Sequence, residues 1–406
     1  MKSLFRSVAA MTATLLLAGG LAAAAAVAVP QAAGASSSKA PINIGLVCGC
    51  TGPLAAAVVD VPPIYKAWVD SVNAAGGING HKINLIYAND DSNPTTSTTI
   101  VHTFVQSDHV VAILDASNND AVWATYVQQA GVPVVGMDTS AEPYFLNSDF
   151  YPEGQTEDSL FAGIIDAVKQ AGSTKFALIY CAEAVQCQEG IAPLQAAAKS
   201  ANLSVVATEE VSASAPNYTA QCLAAKQAGA TVLFEADAQT VDEKVIQDCY
   251  AQGYKPKVVI DGEILLPSLT TTPAINQATY FTVPNLPYFA KNAQITAMNT
   301  AIKKYAPGTL NDVNYGELPM ETWVAGKMFQ AAAAAGHLGV NGAPTSAELV
   351  KGLDSLKGDT LGGLAPPLTF TAGKPHPVDC WYYALLKDGK YSTPFGLNPV
   401  CEKAAS

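Results

Sequence analysis

The chain has 406 residues, of which 49% are hydrophobic, and its formal net charge at pH 7 is −12. This length exceeds one ordinary domain, so we expect two lobes of about 150–200 residues, each with an apolar core. The acidic excess argues against nucleic acids and anionic membranes as partners.

The first 35 residues have the pattern of an export signal. Lys2 and Arg6 precede an apolar stretch at 15–29, and residues 33–35 (AGA) offer a cleavage site. We therefore predict a secretory signal peptide over 1–35, with an uncleaved anchor as the alternative. Its removal takes away two of the 22 basic residues and none of the 34 acidic ones, which leaves a net charge of −14.

All eight cysteines lie in the part that we expect to be exported, after a linker at 36–40. An even number in an oxidising compartment predicts disulfides, with thiol catalysis and metal binding as the alternatives. The spacings contain neither paired CxxC units nor a Cys–His cluster of the zinc type. Because no cysteine precedes Cys48, the motif for lipid-anchored cleavage is absent. We expect a protein that is secreted, periplasmic or at the exterior of the cell envelope.

Short apolar strands alternate with helices from residue 42 onward. Strands are predicted at 42–47, 83–87, 110–114 and 132–136, and helices at 63–75, 96–108 and 120–129. Strands that are separated by helices indicate a parallel sheet that is covered on both faces.

A second series of the same kind follows the stretch DFYPEGQTED at 149–158. Strands are predicted at 176–180, 204–207, 231–234 and 257–260, and helices at 159–170, 192–201, 218–227 and 241–252. A strand at 279–287 then enters a crossover, and further helices are predicted at 291–305, 318–336 and 345–356. A hairpin at 380–392 turns at Asp388-Gly389. The pattern predicts a second α/β lobe.

Ligands of open parallel sheets bind at the carboxyl ends of the strands. That rule selects three loops in each lobe, at 48–54, 115–119, 138–142, 181–187, 235–239 and 261–264. All six loops are rich in small polar or acidic residues, as expected if the two lobes face each other across a wet cleft.

Two of the first-lobe loops offer hydroxyl groups. Ser117, followed by Asn118, stands between a strand and a helix start, where its hydroxyl and nearby N–H groups could hold a carboxylate. The alternative is that Ser117, Asn118 or Asp120 caps the helix. Thr139 and Ser140 occupy the equivalent place after the next strand, with the same alternative.

Glu263 follows a strand of the second lobe and could meet an ammonium group, a role for which Asp261 competes. The alternative is that both are solvated loop residues. The five histidines form no HExxH motif, and we interpret all of them as structural or surface residues. The sequence has no G-x-S-x-G elbow, no P-loop and no GxGxxG motif. We therefore expect no catalytic site, no metal site and no cofactor.

The order of four motifs resembles that of a known family. They are TGPLA (51–55), NAAGGINGHKINLIYANDDSNP (73–94), GVPVVGMDTSAE (131–142) and EGQTEDS (153–159). From residue 41 to the C-terminal region the chain resembles the leucine/isoleucine/valine-binding protein family, the type I periplasmic solute-binding proteins of ABC transporters.

The resemblance implies an α/β fold of two Rossmann-like lobes with parallel sheets, joined by three hinge crossovers, which close on a small ligand. The N-terminal lobe would comprise 41–158 plus about 285–370 of the chain. The C-terminal lobe would comprise 159–284 plus about 371–406. The protein would be a monomer without enzymatic activity that delivers an amino acid or related carboxylate to the permease subunits of an ABC transporter.

The resemblance also implies residue roles. In amino-acid-binding members a Ser and a Thr/Ala pair of the first lobe hold the α-carboxylate, and Ser117 and Thr139–Ser140 fall at those positions. A second-lobe Glu holds the α-ammonium group, and Glu263 falls near it. The chain departs from the family at Cys187, where members often have Tyr.

A second departure is Asp237-Ala238, where an aromatic residue is expected, and both changes alter the second-lobe wall that meets the ligand. Two other functions stay open: a ligand-sensing receptor module and a secreted hydrolase. A fused sensor would need a signalling or spanning segment, and we see none after residue 390.

Among 105 possible connectivities, one set of disulfides suits the predicted elements. Cys181–Cys187 is the most natural local pair, and Cys222 and Cys249 lie on predicted helices that flank one strand. Cys380–Cys401 would join the C-terminal hairpin to its tail. That leaves Cys48–Cys50, whose ring is tight, at the rim of the cleft.

Overall fold

The computed structural model describes residues 39–51, 55–137, 141–183, 185–262, 265–275, 278–313 and 315–402. The predicted signal peptide at 1–35 lies outside the described residues. No helix of the described part is long and apolar enough to cross a membrane.

The first part of the chain builds one series of strands and helices. It contains β1 (Ile42–Cys48), α1 (Ala55–Val58), α2 (Val61–Ala74), β2 (Ile83–Asn89), α3 (Pro94–Gln106), β3 (Ala112–Ala116), α4 (Ala124–Ala130), β4 (Val134–Val135), α5 (Pro143–Leu146) and β5 (Phe150–Tyr151). A 3-10 helix at Asp120–Val122 precedes α4.

A second series follows directly. It contains α6 (Glu157–Gln170), β6 (Lys175–Cys181), α7 (Val185–Glu189), α8 (Ile191–Ser200), β7 (Ser204–Val211), α9 (Thr219–Gln227), β8 (Val232–Ala236), α10 (Gln239–Ala251), β9 (Lys257–Asp261) and β10 (Thr279–Val283). The last part contains α11 (Ala293–Tyr305), α12 (Glu317–Ala335), α13 (Ser346–Leu353), β11 (Lys357–Asp359), β12 (Leu368–Thr369), β13 (Cys380–Lys387), β14 (Lys390–Ser392) and β15 (Val400–Cys401). Two further 3-10 helices lie at Pro267–Thr271 and Thr309–Asn311.

The strands form two large sheets, which define the two lobes. The first-lobe sheet has the order β2-β1-β3-β4-β5, and all of its strands are parallel. The second-lobe sheet has the order β14-β13-β10-β9-β8-β6-β7, with β15 paired to β13. Strands β6 to β10 are parallel, whereas β13, β14 and β15 pair in antiparallel fashion. Helices α11 and α12 return to the first lobe and pack against α2.

Helix α2 shows how the sequence builds the first lobe. Pro62 and Pro63 lie in its first turn, where the missing N–H costs nothing. Gly77 follows the helix at φ 81°, and a Cβ there would lie 2.0 Å from the His81 carbonyl oxygen, so only glycine fits. The apolar side chains recur every three or four residues and form the buried face, which includes Ile64, Tyr65, Trp68, Val69 and Val72.

Three chain segments pass between the two sheets, after β5, after β10 and before β13. The amide of Asn285 donates to the Glu153 carbonyl oxygen at 2.9 Å, which ties the first segment to the second. The N–H of Val378 donates to Thr156 Oγ1 at 2.9 Å, which ties the third segment to the first. The two-lobe α/β fold with parallel sheets is confirmed. The predicted lobe boundaries stay a prediction.

The predicted elements are largely present, with two local differences. The helix predicted over 120–129 is divided, because Trp123 takes φ −119° between the 3-10 helix and α4. The strand predicted at 132–136 is reduced to β4, and the short β5 beside it was not predicted. The C-terminal hairpin turns at Asp388 and Gly389, both with positive φ.

The eight cysteines form four disulfides in the structure. Their Cα–Cα distances are 5.2, 5.7, 5.0 and 3.9 Å for Cys48–Cys50, Cys181–Cys187, Cys222–Cys249 and Cys380–Cys401. These are the pairs that we proposed from the sequence. Cys222 and Cys249 are fully buried and join α9 to α10.

Candidate functional site

The carboxyl ends of β1, β2 and β3 meet at one edge of the first-lobe sheet. We call residues 49–51, 90–93 and 117–119, which follow these strands, the first-lobe rim. The N–H of Gly49 donates to the Ala116 carbonyl oxygen at 2.9 Å, and the N–H of Asp90 donates to the Cys48 carbonyl oxygen at 2.9 Å. These bonds carry the sheet pairing past the strand ends and hold the rim loops together.

Ser117 lies at the centre of a buried hydrogen-bond network on this rim. Its hydroxyl donates to Asp90 Oδ2 and lies 3.4 Å from Ser97 Oγ. The indole N–H of Trp123 donates to Ser97 Oγ at 3.0 Å. The N–H of Asn119 donates to Ser117 Oγ at 3.1 Å, which closes a local turn. Neither the 3-10 helix nor α4 has a side-chain cap, so Ser117 does not cap the helix as our alternative described.

Asp90 is the functional candidate that sequence reasoning missed on this rim. Its carboxylate is fully buried and accepts from the Ser92 N–H at 2.9 Å, the Asn119 amide at 3.3 Å and the Ser117 hydroxyl. The sequence feature that could have identified Asp90 is the motif YANDDSNP, in which Asp90 follows the end of β2. The three donors satisfy the charge internally and fix the shape of the rim.

The other first-lobe candidates differ in position. Asn118 is exposed on the rim, and a Cβ at Gly49 would lie 3.6 Å from its Oδ1 atom. Thr139 and Ser140 lie outside the described residues. Behind the rim, Tyr65 is fully buried, and burial raises the pKa of its phenol well above the usual range. The nearby charge of Glu153 raises this pKa further.

The carboxyl ends of β6, β8 and β9 form the corresponding edge of the second-lobe sheet. We call residues 181–183, 237–238 and 261–262 the second-lobe rim. Burial raises the pKa of Asp237 to about 6, and the charge of Glu183 adds to this effect. Asp261 ends β9 and is partly exposed, whereas Glu263 lies outside the described residues.

Two further carboxyl groups lie beneath this rim. Glu235 belongs to β8, and Asp242 belongs to α10. Burial raises the pKa of Glu235 well above its usual range, and the charge of Asp237 adds to it. Burial and then the charge of Glu235 raise the pKa of Asp242 in the same direction. Sequence reasoning missed both residues.

The described residues contain no cluster of three or more His, Cys, Asp or Glu side chains that could hold a metal ion. His81 and His376 are buried and bond to backbone carbonyl oxygens: His81 Nε2 lies 2.9 Å from that of Gly339, and His376 Nε2 lies 3.0 Å from that of Ser148. The site therefore consists of two polar and acidic rims, each at the carboxyl edge of a parallel sheet.

Comparison with known proteins gives this arrangement a family. A family model described as periplasmic binding protein matches residues 41–390. The chain belongs to the periplasmic binding protein family. A search of curated proteins finds no match.

Solved structures with the same fold include several periplasmic binding proteins. A branched-chain amino acid ABC transporter protein from Thermus thermophilus with bound valine has a TM-score of 0.77 at 14% identity, covering 90% of this chain and 97% of its own. A solute-binding protein from R. palustris in complex with benzoate has a TM-score of 0.68 at 15% identity, with coverage of 90% and 98%. A substrate-binding periplasmic protein from Ralstonia solanacearum has a TM-score of 0.71 at 18% identity, with coverage of 89% and 100%. The resemblance to type I periplasmic binding proteins is confirmed.

Proposed function

We propose that this periplasmic binding protein captures an amino acid or related carboxylate between its lobes and delivers it to the permease of an ABC transporter. The observation that carries the proposal is the pair of polar rims at the carboxyl ends of two parallel sheets, in a chain of this family. Binding favours a closed arrangement of the lobes, which the permease recognises. The protein acts as a monomer and carries out no catalysis.

The ligands named for two structural neighbours support the chemical class. The Thermus thermophilus protein contains valine and the R. palustris protein contains benzoate. Both molecules carry a carboxylate, although they differ in every other group. We therefore propose that the ligand of this chain also carries a carboxylate, and we name no particular molecule.

We assign the carboxylate to the first lobe, to Ser117, Asn118, Thr139 and Ser140. The exposed amide of Asn118 supports this assignment, because its NH2 group can donate on the rim while its Oδ1 atom accepts from the Asn119 amide at 3.4 Å. Ser117 contributes through the rim shape that its bonds to Asp90 and Asn119 maintain. We assign the α-ammonium group to Glu263, with Asp261 as the competing candidate.

Thermal unfolding against a panel of amino acids, carboxylates and aromatic acids tests the proposal. A ligand at 100 times its Kd adds about 2.7 kcal/mol to the free energy of unfolding, which raises Tm by roughly 5–11 °C for lobes of about 150–250 residues. Copurified ligand is first removed by reversible unfolding with the disulfides intact, and native mass spectrometry verifies the empty state.

Variants then assign the contacts. Ser117→Ala and Glu263→Ala should abolish the shift, whereas Ser200→Ala, on the exposed surface of α8, should preserve it. The proposed function fails if the emptied protein responds to no amino acid or carboxylate. It also fails if the purified protein turns a substrate over.

A further inference from the structure

Glu235 and Asp242 are two buried carboxyl groups that have no hydrogen-bond partner among the described residues. Glu235 is 0% exposed and Asp242 is 1% exposed. No described residue donates to any of their four carboxyl oxygens. Buried polar groups normally have a hydrogen-bond partner. Four carboxyl oxygens without such a partner at one position therefore indicate a place for a ligand.

The fold brings the two side chains together at the second-lobe rim. Glu235 is separated from Leu233 by one residue on β8, so both side chains point to the same face of the sheet. On that face Leu233 packs against Val241 and Val245 of α10, which are neighbours of Asp242. Only residues 237–238 join β8 to α10, and they are partly exposed, so the pair lies just beneath the rim.

The charges around the pair are negative. Asp237 acts on Glu235, and the other negative charges that act on Asp242 are those of Asp237, Asp261 and Glu243. The lysine of α10, Lys244, donates to the Ala215 carbonyl oxygen at 2.9 Å and lies over the Tyr218 ring. Among the described residues the single ion pair is Lys66–Asp70, on α2 of the first lobe. Every charge that acts on the pair from the described residues is therefore negative.

A buried carboxylate without a counter-charge is strongly unfavourable, so the pair must be protonated or must meet a cation. Ca²⁺ or Mg²⁺ is the poorer fit, because each takes about six or more oxygen ligands and the described residues contain no group of three candidate ligands. A primary ammonium group has three N–H donors, which two carboxylates can accept completely.

We propose that Glu235 and Asp242 receive a primary ammonium group of the bound solute, so that the cargo is an amine with a positive charge beyond its α-ammonium group. This inference rests on the proposed function, since it names the end of the solute that faces the second lobe. It assigns this second ammonium group to side chains of β8 and α10, whereas the proposed function assigns the α-ammonium group to Glu263. Because both carboxyl groups are buried, the proposal requires the rim loop at 237–238 to move when the solute enters.

The test uses four probes that share one carbon skeleton. Lysine, norleucine and 2-aminoadipate differ only in the terminal group, which is cationic, apolar and anionic, and 1,5-diaminopentane is lysine without the carboxylate. We expect lysine to raise Tm and norleucine and 2-aminoadipate to have little effect. Calorimetry should show a loss of at least tenfold in lysine affinity for Glu235→Gln and for Asp242→Asn. Asp388→Asn, which removes one exposed charge at the hairpin turn, is the matched control.

The outcomes separate the two proposals. If norleucine or 2-aminoadipate binds as well as lysine, or if both amide variants retain lysine affinity, the ammonium site is wrong and the proposed function stands. If 1,5-diaminopentane binds and the three amino acids do not, the ammonium site stands and the amino-acid function is wrong. If none of the four probes binds the emptied protein, the ammonium site is wrong, and the wider panel of amino acids and carboxylates decides on the proposed function. Circular dichroism of each amide variant verifies that it is folded.

Discussion

Asp60 offers a stability measurement whose sign and size follow from its surroundings. It precedes α2, is 7% exposed, and its Oδ2 atom has no hydrogen-bond partner among the described residues. Burial raises the pKa of Asp60 from 3.8 to about 6, and the charge of Asp312 contributes in the same direction. Asp60→Asn keeps the shape of the side chain and removes the ionisation.

The raised pKa determines the pH dependence. Below the unfolded pKa of 3.8 the side chain is neutral in both the folded and the unfolded chain. As pH rises toward about 6, the unfolded chain ionises freely while the folded chain resists, so folding loses stability. The rise in pKa from 3.8 to about 6 corresponds to a destabilisation of the folded state by about 3 kcal/mol as an upper bound. After solvent screening the destabilisation is about 1–2 kcal/mol. Asp60→Asn should recover that amount above pH 7.

The assay compares Tm of the parent and Asp60→Asn at pH 4 and at pH 7.5 at constant ionic strength. We expect the variant to gain about 2–4 °C relative to the parent between the two pH values. Asp312→Asn should recover a smaller part, because burial is the larger cause of the shift. The reasoning would be refuted by a Tm difference between variant and parent that is equal at both pH values. It would also be refuted if the variant had a lower Tm than the parent at pH 7.5.

Three further predictions concern the rims and the second lobe. Ser97→Ala should lower the free energy of unfolding by about 1–3 kcal/mol in urea titrations, because the buried Trp123 N–H loses its acceptor; an unchanged midpoint would contradict this. Glu235→Gln should raise Tm more at pH 7.5 than at pH 4. The reason is that Glu235 interacts with Asp237, Asp242 and Tyr254, none of which carries a positive charge that would stabilise its ionised form. Equal gains in Tm at both pH values would argue against this prediction. Replacing Cys222 and Cys249 by serine opens a loop of 27 residues and should cost about 3–4 kcal/mol by the chain-entropy estimate. Urea titration of the double variant against the oxidised parent protein measures this cost, and an unchanged midpoint would contradict it.

The parts of the fold that the sequence predicted share one physical property. Strands β1, β3 and β8 are buried along almost their whole length, so each contains a short apolar run, which is Gly45–Cys48 in β1, Ala112–Leu114 in β3 and Val232–Phe234 in β8. The short strand β5 has only two residues, Phe150 and Tyr151, and two residues carry no periodic signal. Its place in the sheet comes from pairing with β4, a contact that a local pattern cannot contain.

The candidate site was predictable as a set of loops and not as a set of contacts. The strand-end rule selected the loop that contains Ser117, but its hydroxyl bonds to Asp90, 27 positions earlier in the chain. That contact exists because β2 and β3 both pair with β1 in parallel register. For Glu235 the available signal was a carboxylate inside the apolar strand VLFEA, which a parallel sheet buries.

The hinge segments and the rims together indicate how ligand binding couples to lobe movement under the proposed function. The Glu153–Asn285 and Thr156–Val378 bonds tie the three crossing segments to one another, so the segments must turn as one unit when the lobes close. The first-lobe rim is fixed beforehand by the Cys48–Cys50 disulfide and its sheet-like bonds, so little ordering remains to be done there when ligand arrives. Most of the free energy of binding is then available to favour closure of the lobes. An ammonium group at the second-lobe rim would add to that drive, because it reduces the repulsion among the negative charges of Glu235, Asp237 and Asp242.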